Sequence, residues 1–78
     1  MTLKLKQLAV GDHAVVVGFA DGSQAYRQKL LSMGLTPGAE FHVTRVAPLG
    51  DPVEIRVRGF ALSLRRAEAD MLNVRKLS

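Results

Sequence analysis

The chain of 78 residues contains no cysteine and no tryptophan, and only 5% of its residues are aromatic. The missing cysteines exclude disulfide bonds, thiolate metal sites and a thiol nucleophile. The low aromatic content argues against a base-stacking surface for nucleic acid. No apolar run approaches the roughly 20 residues that a membrane helix needs, and the N-terminus lacks the layout of a secretory signal. We therefore expect a cytoplasmic protein without direct membrane insertion.

What is present fits one small domain over residues 1–78. Hydrophobic residues make up 47% of the chain and charged residues 23%, as is typical of a globular fold. Lysine and arginine outnumber aspartate and glutamate by 11 to 7, which gives a net charge of +4. This excess favours an acidic protein partner, nucleic acid or acidic lipid headgroups, and does not choose among them.

Short β-branched and alternating segments predict a mainly β fold. Residues 2–10 are interpreted as an edge strand that runs into a turn. Residues 14–19, with the sequence AVVVGF, form a short apolar run bounded by turn residues, which is typical of a buried strand. In the strand that begins near Phe41, the alternation slips, which predicts a β-bulge near Thr44 or Arg45.

The most informative stretch is a hairpin around the Arg58-Gly59 pair. If these two residues form the turn, the residues that oppose each other across the hairpin share one face of the sheet. All six apolar side chains of the two strands then point inward, and we expect them to line the core. They are Val53, Ile55, Val57, Phe60, Leu62 and Leu64.

One α-helix is predicted over about 23–33, inserted after the second strand. Asp21 or Ser23 can cap its start. Gly34 suits the position after its end, because only glycine enters the left-handed region without steric cost. Five or six short strands are not stable as an open sheet at this size, so we expect them to curl into a small SH3-like or OB-like barrel that removes the sheet edges.

No motif for catalysis or nucleotide binding occurs in the chain. It has no G-x-x-x-x-G-K followed by serine or threonine, no G-x-G-x-x-G, no H-E-x-x-H and no G-x-S-x-G, which are the patterns that carry those chemistries. A core this small also leaves little space for a water-excluding catalytic cleft. We therefore predict that the protein is not an enzyme.

His13, His42 and Glu40 are candidate metal ligands, because imidazole and carboxylate together suit a divalent transition metal. None of them lies in a paired-ligand motif, so a site needs the fold to bring them together. The simpler interpretation is two surface histidines and an ordinary strand-end carboxylate.

Basic residues cluster in the C-terminal half of the chain. They favour contact with nucleic acid or an acidic partner, or they form a solvated face that nearby acidic residues partly offset. The cluster comprises Arg56, Arg58, Arg65, Arg66, Arg75 and Lys76.

The end of the predicted helix has more apolar residues than one core-facing stripe would contain. If Leu30 and Met33 face the core, Leu31 turns about 100° away from Leu30. Exposed apolar side chains beside a groove often mark a partner site. The alternative is a helix that simply packs across the mouth of the barrel.

Three segments, taken in order, resemble the FeoA family, ferrous iron transport protein A. Residues 30–38 read LLSMGLTPG, residues 47–52 read APLGDP and residues 62–69 read LSLRRAEA. The resemblance extends from about Leu5 to Val74 and shows no clear departure from the family pattern.

The resemblance implies a small cytosolic SH3-like barrel that serves ferrous iron uptake. Such proteins are thought to be accessory partners of a large membrane ferrous iron transporter with a cytosolic GTP-binding domain, which implies a position peripheral to the inner membrane. The same domain occurs at the C-terminus of iron- or manganese-responsive repressors. Carried onto this chain, the expected partner surface is the helix and its exit, with Leu31, Met33, Leu35 and Pro37.

Two other functions remain open at this point. One is a small-barrel nucleic-acid-binding module, although we expect no nucleic acid partner. The other is a domain that itself binds or senses a divalent transition metal. Pairing of barrel edges between copies would give a homo-oligomer.

Overall fold

A five-stranded antiparallel sheet organises the structure, a computed structural model that describes residues 2–78. The strands run in the spatial order β4-β3-β2-β1-β5. They are β1 (His13–Phe19), β2 (Glu40–Val46), β3 (Val53–Val57), β4 (Phe60–Leu64) and β5 (Leu72–Lys76), accompanied by a 3-10 turn (Leu5–Gln7) and the helices α1 (Gln24–Ser32) and α2 (Arg66–Ala69). The predicted mainly β fold with one longer inserted helix is confirmed.

The N-terminal segment departs from the predicted edge strand. Leu3 alone pairs with the sheet, exchanging two backbone hydrogen bonds of 2.7 and 2.9 Å with Val74. The chain then forms the 3-10 turn, which brings Leu5 and Leu8 into the core. The three-residue step between these leucines fits one turn of that helix better than an extended strand. Because this segment does not form a strand, only β1 precedes α1. The sequence predicted two strands before the helix.

Strand β2 contains the irregularity that its sequence predicts. Phe41 and Val43 are buried, and the pairing with β3 then shifts by one residue between Val43 and Arg45. The extra residue restores the inward alternation that a regular strand would lose. The Thr44 hydroxyl donates to the Glu54 carbonyl at 3.1 Å across the shift. The predicted β-bulge is therefore confirmed.

The β3–β4 hairpin has the predicted register. Val57 opposes Phe60, and the pairing continues regularly to Val53 and Leu64. Both turn residues, Arg58 and Gly59, have positive φ angles of 51° and 84°, as a type I′ turn requires.

Phe60 is the exception among the six predicted core residues of the hairpin. It is 73% exposed, whereas Leu62 packs partly buried against the core and the other four are buried. It lies at the start of β4 beside the turn, and a position on the inner face buries a side chain only where another element covers it.

The two edges of the sheet differ. On β5, the bridge to Leu3 covers part of the edge. Within residues 2–78, β4 pairs with β3 alone, so its other side is open. The expectation that curling removes both edges is therefore wrong for β4.

Candidate functional site

The exit of α1 is fixed by a backbone turn that only glycine adopts easily. Gly34 has a φ of +91°. Its N–H donates to the Leu31 carbonyl at 3.0 Å, and the Leu35 N–H donates to the Leu30 carbonyl at 3.1 Å. These bonds satisfy carbonyls that the helix end would otherwise leave without partners. At the other end of α1, Ser23, one of the two predicted caps, is buried and its hydroxyl makes no capping bond.

Three of the four residues predicted to bind a partner reach solvent at this exit. Pro37 is exposed, while Leu31 and Met33 are half-buried. Met33 also packs against the core. Leu35 is fully buried, so it anchors the exit from below and cannot itself touch a partner.

A buried carboxylate ties α1 to α2. Glu68 is 6% exposed, its Oε1 accepts the Arg65 N–H at 2.9 Å and its Oε2 pairs with Lys29 Nζ. The hydrogen bond from Lys29, followed by the backbone hydrogen bond from Arg65, lowers the pKa of Glu68 below its ordinary value of 4.5 despite burial. This contact holds the last turn of α1 in place and was not foreseen, because no local pattern links the two residues.

The three candidate metal ligands converge on the outer face of the sheet. His13 and His42 oppose each other on β1 and β2. The His13 Nε2–H donates to Glu40 Oε1 at 2.8 Å, because a carboxylate only accepts. The two imidazoles stack with ring centroids 4.3 Å apart and planes 8° from parallel.

This stacking offers no position at which both imidazoles bind one ion. A ring nitrogen directs its lone pair within the plane of its ring, and metal–nitrogen distances are about 2.0–2.1 Å. Two nearly parallel planes share no nearby point, so His13 and His42 would have to separate before binding a metal together. Within residues 2–78, no group of three or more metal-ligating side chains has the arrangement of a metal site.

An open groove lies beside the histidines and is lined by basic side chains. Its volume is ≈ 560 Å³. Arg56, which opposes His42 on β3, and Arg58 of the hairpin turn contribute two guanidinium groups. Glu40 offsets part of this charge but is engaged by His13. The groove therefore favours an anionic group.

The predicted basic cluster is divided between several places. Arg65 lies 3.9 Å from Asp51, and Lys76 lies 3.6 Å from Asp12. Arg66 Nη2 donates to the Leu49 carbonyl at 2.6 Å. Only Arg56 and Arg58 line the groove, so the six cationic side chains do not form one continuous face.

Leu49 and Phe60 are the two most exposed large apolar side chains within residues 2–78, and the sequence did not predict the exposure of either. Leu49 is 84% exposed in the loop between β2 and β3, and Phe60 is exposed at the hairpin turn. The only sequence signal for either was its position beside a turn, where covering elements often end.

The chain is similar to proteins of ferrous iron transport. A family model described as the FeoA domain matches residues 3–76. A relative from Porphyromonas gingivalis, named Fe(2+) transport protein A/Fe(2+) transporter FeoB fusion protein, is 37% identical over 76 residues, which is 97% of this chain. The chain spans only 9% of the length of that curated relative.

Solved structures support the same grouping. A crystal structure described as iron uptake regulatory protein (FeoA) is 38% identical, with a TM-score of 0.84 and 99% of both chains covered. A manganese-dependent transcriptional repressor in complex with manganese matches 97% of this chain and 37% of its own, with a TM-score of 0.89. At 17% identity, the repressor shows a shared fold alone, and it confirms the predicted occurrence of this SH3-like fold in metal-dependent repressors.

Across residues 2–78, we find no helix of the length and apolar character needed to cross a bilayer.

Proposed function

We propose, on the premise that the chain belongs to the FeoA family of ferrous iron transport proteins, that it is an accessory protein which binds the cytosolic GTP-binding part of a membrane Fe(II) transporter. In this role it performs no catalysis itself. It works in the cytoplasm and reaches the inner membrane only through its partner.

The observation that carries this proposal is the fusion of related sequence with a transporter. In the Porphyromonas gingivalis relative, a segment 37% identical to this chain belongs to a polypeptide that is also named as the transporter FeoB. A covalent link holds two modules at a high effective concentration. If the two modules are separate chains, they need a docking surface in order to be bound to each other for a similar fraction of the time.

The helix exit suits such a docking surface. Leu31, Met33 and Pro37 present apolar area to solvent, while the buried Leu35 and the Glu68–Lys29 pair hold the segment in position. A surface that is already ordered loses little conformational entropy on binding.

The direct test is a titration of the fluorescently labelled chain with the purified cytosolic domain of the transporter from the same organism. Leu31→Asp places a charge in the apolar surface, and we expect affinity to fall about tenfold or more. Gln24→Asp is the matched control, because Gln24 is exposed at the start of the same helix, away from its exit, and the substitution changes the charge equally. Equal affinities for the two variants, both with wild-type melting temperatures, would reject the helix exit as the binding surface.

Direct metal sensing is the second candidate function, because His13, Glu40 and His42 converge. It requires the stacked imidazoles to separate. Calorimetric titration of the isolated chain with Mn(II) or Fe(II) at neutral pH decides between the two functions. We expect no saturable binding, whereas binding that His13→Ala or His42→Ala abolishes would favour the sensor.

A further inference from the structure

Strand β4 carries an unused row of backbone hydrogen-bonding groups. In a type I′ hairpin, the residues that flank the turn exchange both backbone hydrogen bonds, and such pairs alternate along the strands. Phe60, Leu62 and Leu64 therefore bond to β3. The N–H and C=O groups of Ala61 and Ser63 point away from the sheet, where residues 2–78 supply no further strand.

This edge lacks the features that normally prevent strand addition. Natural edge strands carry charged side chains, proline or a bulge. Strand β4 reads FALSL and pairs regularly with β3 over its whole length. Phe60 at its start is largely exposed. The strand is therefore open to pairing on its free side.

The charges beside this edge are two unpaired arginines and Glu54, which opposes Ser63 and lies 3.8 Å from Arg45. Arg56 opposes Ala61 on the outer face of the sheet, and Arg58 lies in the turn. Neither of them has a carboxylate partner within residues 2–78. Because Ala61 has a small side chain, a carboxylate on an added strand, about 10 Å from β3, lies within reach of the long Arg56 side chain.

A second copy of the chain is a poor occupant of this edge. Antiparallel pairing of two β4 strands that opposes Ala61 to Ser63 brings Arg58, in the turn of one copy, towards Arg66, at the start of α2 in the other, once at each end of the interface. Nearby like charges repel each other, and each copy carries a net charge of +4. The edge therefore favours an acidic partner.

We propose that β4 is the docking site for an extended acidic segment of a partner protein, which adds an antiparallel sixth strand to the sheet. Alternate side chains of that segment are apolar and cover Phe60 and Leu62 on the inner face. The intervening side chain that lies beside Ala61 is acidic and faces Arg56 on the outer face. The site uses none of the residues proposed for the helix exit, so the two proposals stand or fall separately.

The test uses a fluorescein-labelled peptide of alternating glutamate and valine, with binding followed by anisotropy. The peptide residues that oppose Ala61 and Ser63 have their side chains on the outer face, and these residues are the glutamates. Their amides therefore make the hydrogen bonds to β4, and the valine amides do not. N-methylation of the glutamate amides should weaken binding about fivefold for each bond lost. N-methylation of the valine amides, which leaves charge and composition the same, should be tolerated.

Two charge variants test the proposed role of Arg56. Arg56→Gln should weaken binding about threefold, the effect of a partly exposed ion pair. Arg75→Gln is the matched control, since Arg75 is exposed on β5 at the far side of the sheet and the change in net charge is the same. We expect Arg75→Gln to bind like the wild type.

Three results would overturn the proposal. The first is the absence of saturable binding by the unmethylated peptide. The second is equal binding of the two N-methylated peptides, or of a lysine–valine peptide, because backbone pairing and charge would then not matter. The third is a dimer in sedimentation that Ala61→Pro dissolves, which would assign the edge to a second copy. None of these results depends on the titration of the Leu31→Asp variant.

Discussion

The two ends of strand β4 differ in burial although their side chains share one face of the sheet. Leu64 at one end is 0% exposed, and Phe60 at the other is 73% exposed. Beyond Leu64 the chain turns into α2, whose Ala69 joins the core. Beside Phe60 there is only a two-residue turn. Strand periodicity therefore fixes the face of a side chain, and the covering layer decides whether it is buried.

The charges follow the same division. At the covered end, Glu68 is paired with Lys29, and Arg65 lies near Asp51. At the open end, Arg56 and Arg58 line a groove. Paired charges hold the elements together, whereas unpaired arginines and exposed aromatic rings are each enriched in recognition surfaces.

The largest effect is expected at the covered end. Leu64→Ala removes a buried side chain where α2 and the sheet meet, and should lower the free energy of unfolding by about 3 kcal/mol. Urea denaturation measures this value. A loss below about 1 kcal/mol would mean that the site collapses easily and that the covered end is less tightly packed than the structure shows.

The next effect concerns the buried carboxylate. Glu68→Gln replaces a charged acceptor of two hydrogen bonds with a neutral one. It should lower the free energy of unfolding by about 1–2 kcal/mol at pH 7. Because folding lowers the pKa of Glu68, the stabilisation is present above the ordinary value of 4.5 and is lost as the pH falls through the lowered folded-state pKa. Urea titrations at pH 7 and pH 3 should therefore show the difference between wild type and variant shrinking at the lower pH, and a constant difference would contradict this role.

A smaller effect is expected at the exit of α1. Gly34→Ala should lower the free energy of unfolding by about 1 kcal/mol, because Gly34 has a positive φ, which strains an alanine. An added Cβ meets nothing within 4 Å, so no steric clash adds to this cost. Gly18→Ala is the matched control, since Gly18 also has open space but no positive φ. Thermal melts of the two variants test this comparison. Equal melting temperatures would contradict the explanation that the positive φ of Gly34 causes the loss of stability.

The smallest effect on stability is expected at the open end. Phe60→Ala should change the free energy of unfolding by no more than about 0.5 kcal/mol, as for other exposed positions. The same urea experiment as for Leu64→Ala gives the comparison directly. A loss of 1.5 kcal/mol or more would show that Phe60 is covered in solution and would remove the distinction between the two ends.

Sequence reasoning succeeded where the determining interactions are local. The Arg58-Gly59 turn sets the hairpin register, and the slipped alternation near Thr44 locates the bulge. It failed at Phe60, whose exposure depends on which elements cover the strand end.

The candidate sites were predictable in part for the same reason. The resemblance pointed to Leu31 and Pro37, which lie within one continuous segment. The burial of Leu35 depends on how the turn at Gly34 meets the core. The Glu68–Lys29 pair and the open edge of β4 arise from contacts between distant segments, for which the sequence contains no periodic signal.

Hydrogen–deuterium exchange of the chain, alone and with the cytosolic domain of the transporter, tests the central claim most directly. We predict slower deuterium uptake at residues 28–38, because docking at the helix exit shields and stabilises that segment. Unchanged uptake across this segment, at concentrations where the transporter domain is present in large excess, would contradict the account.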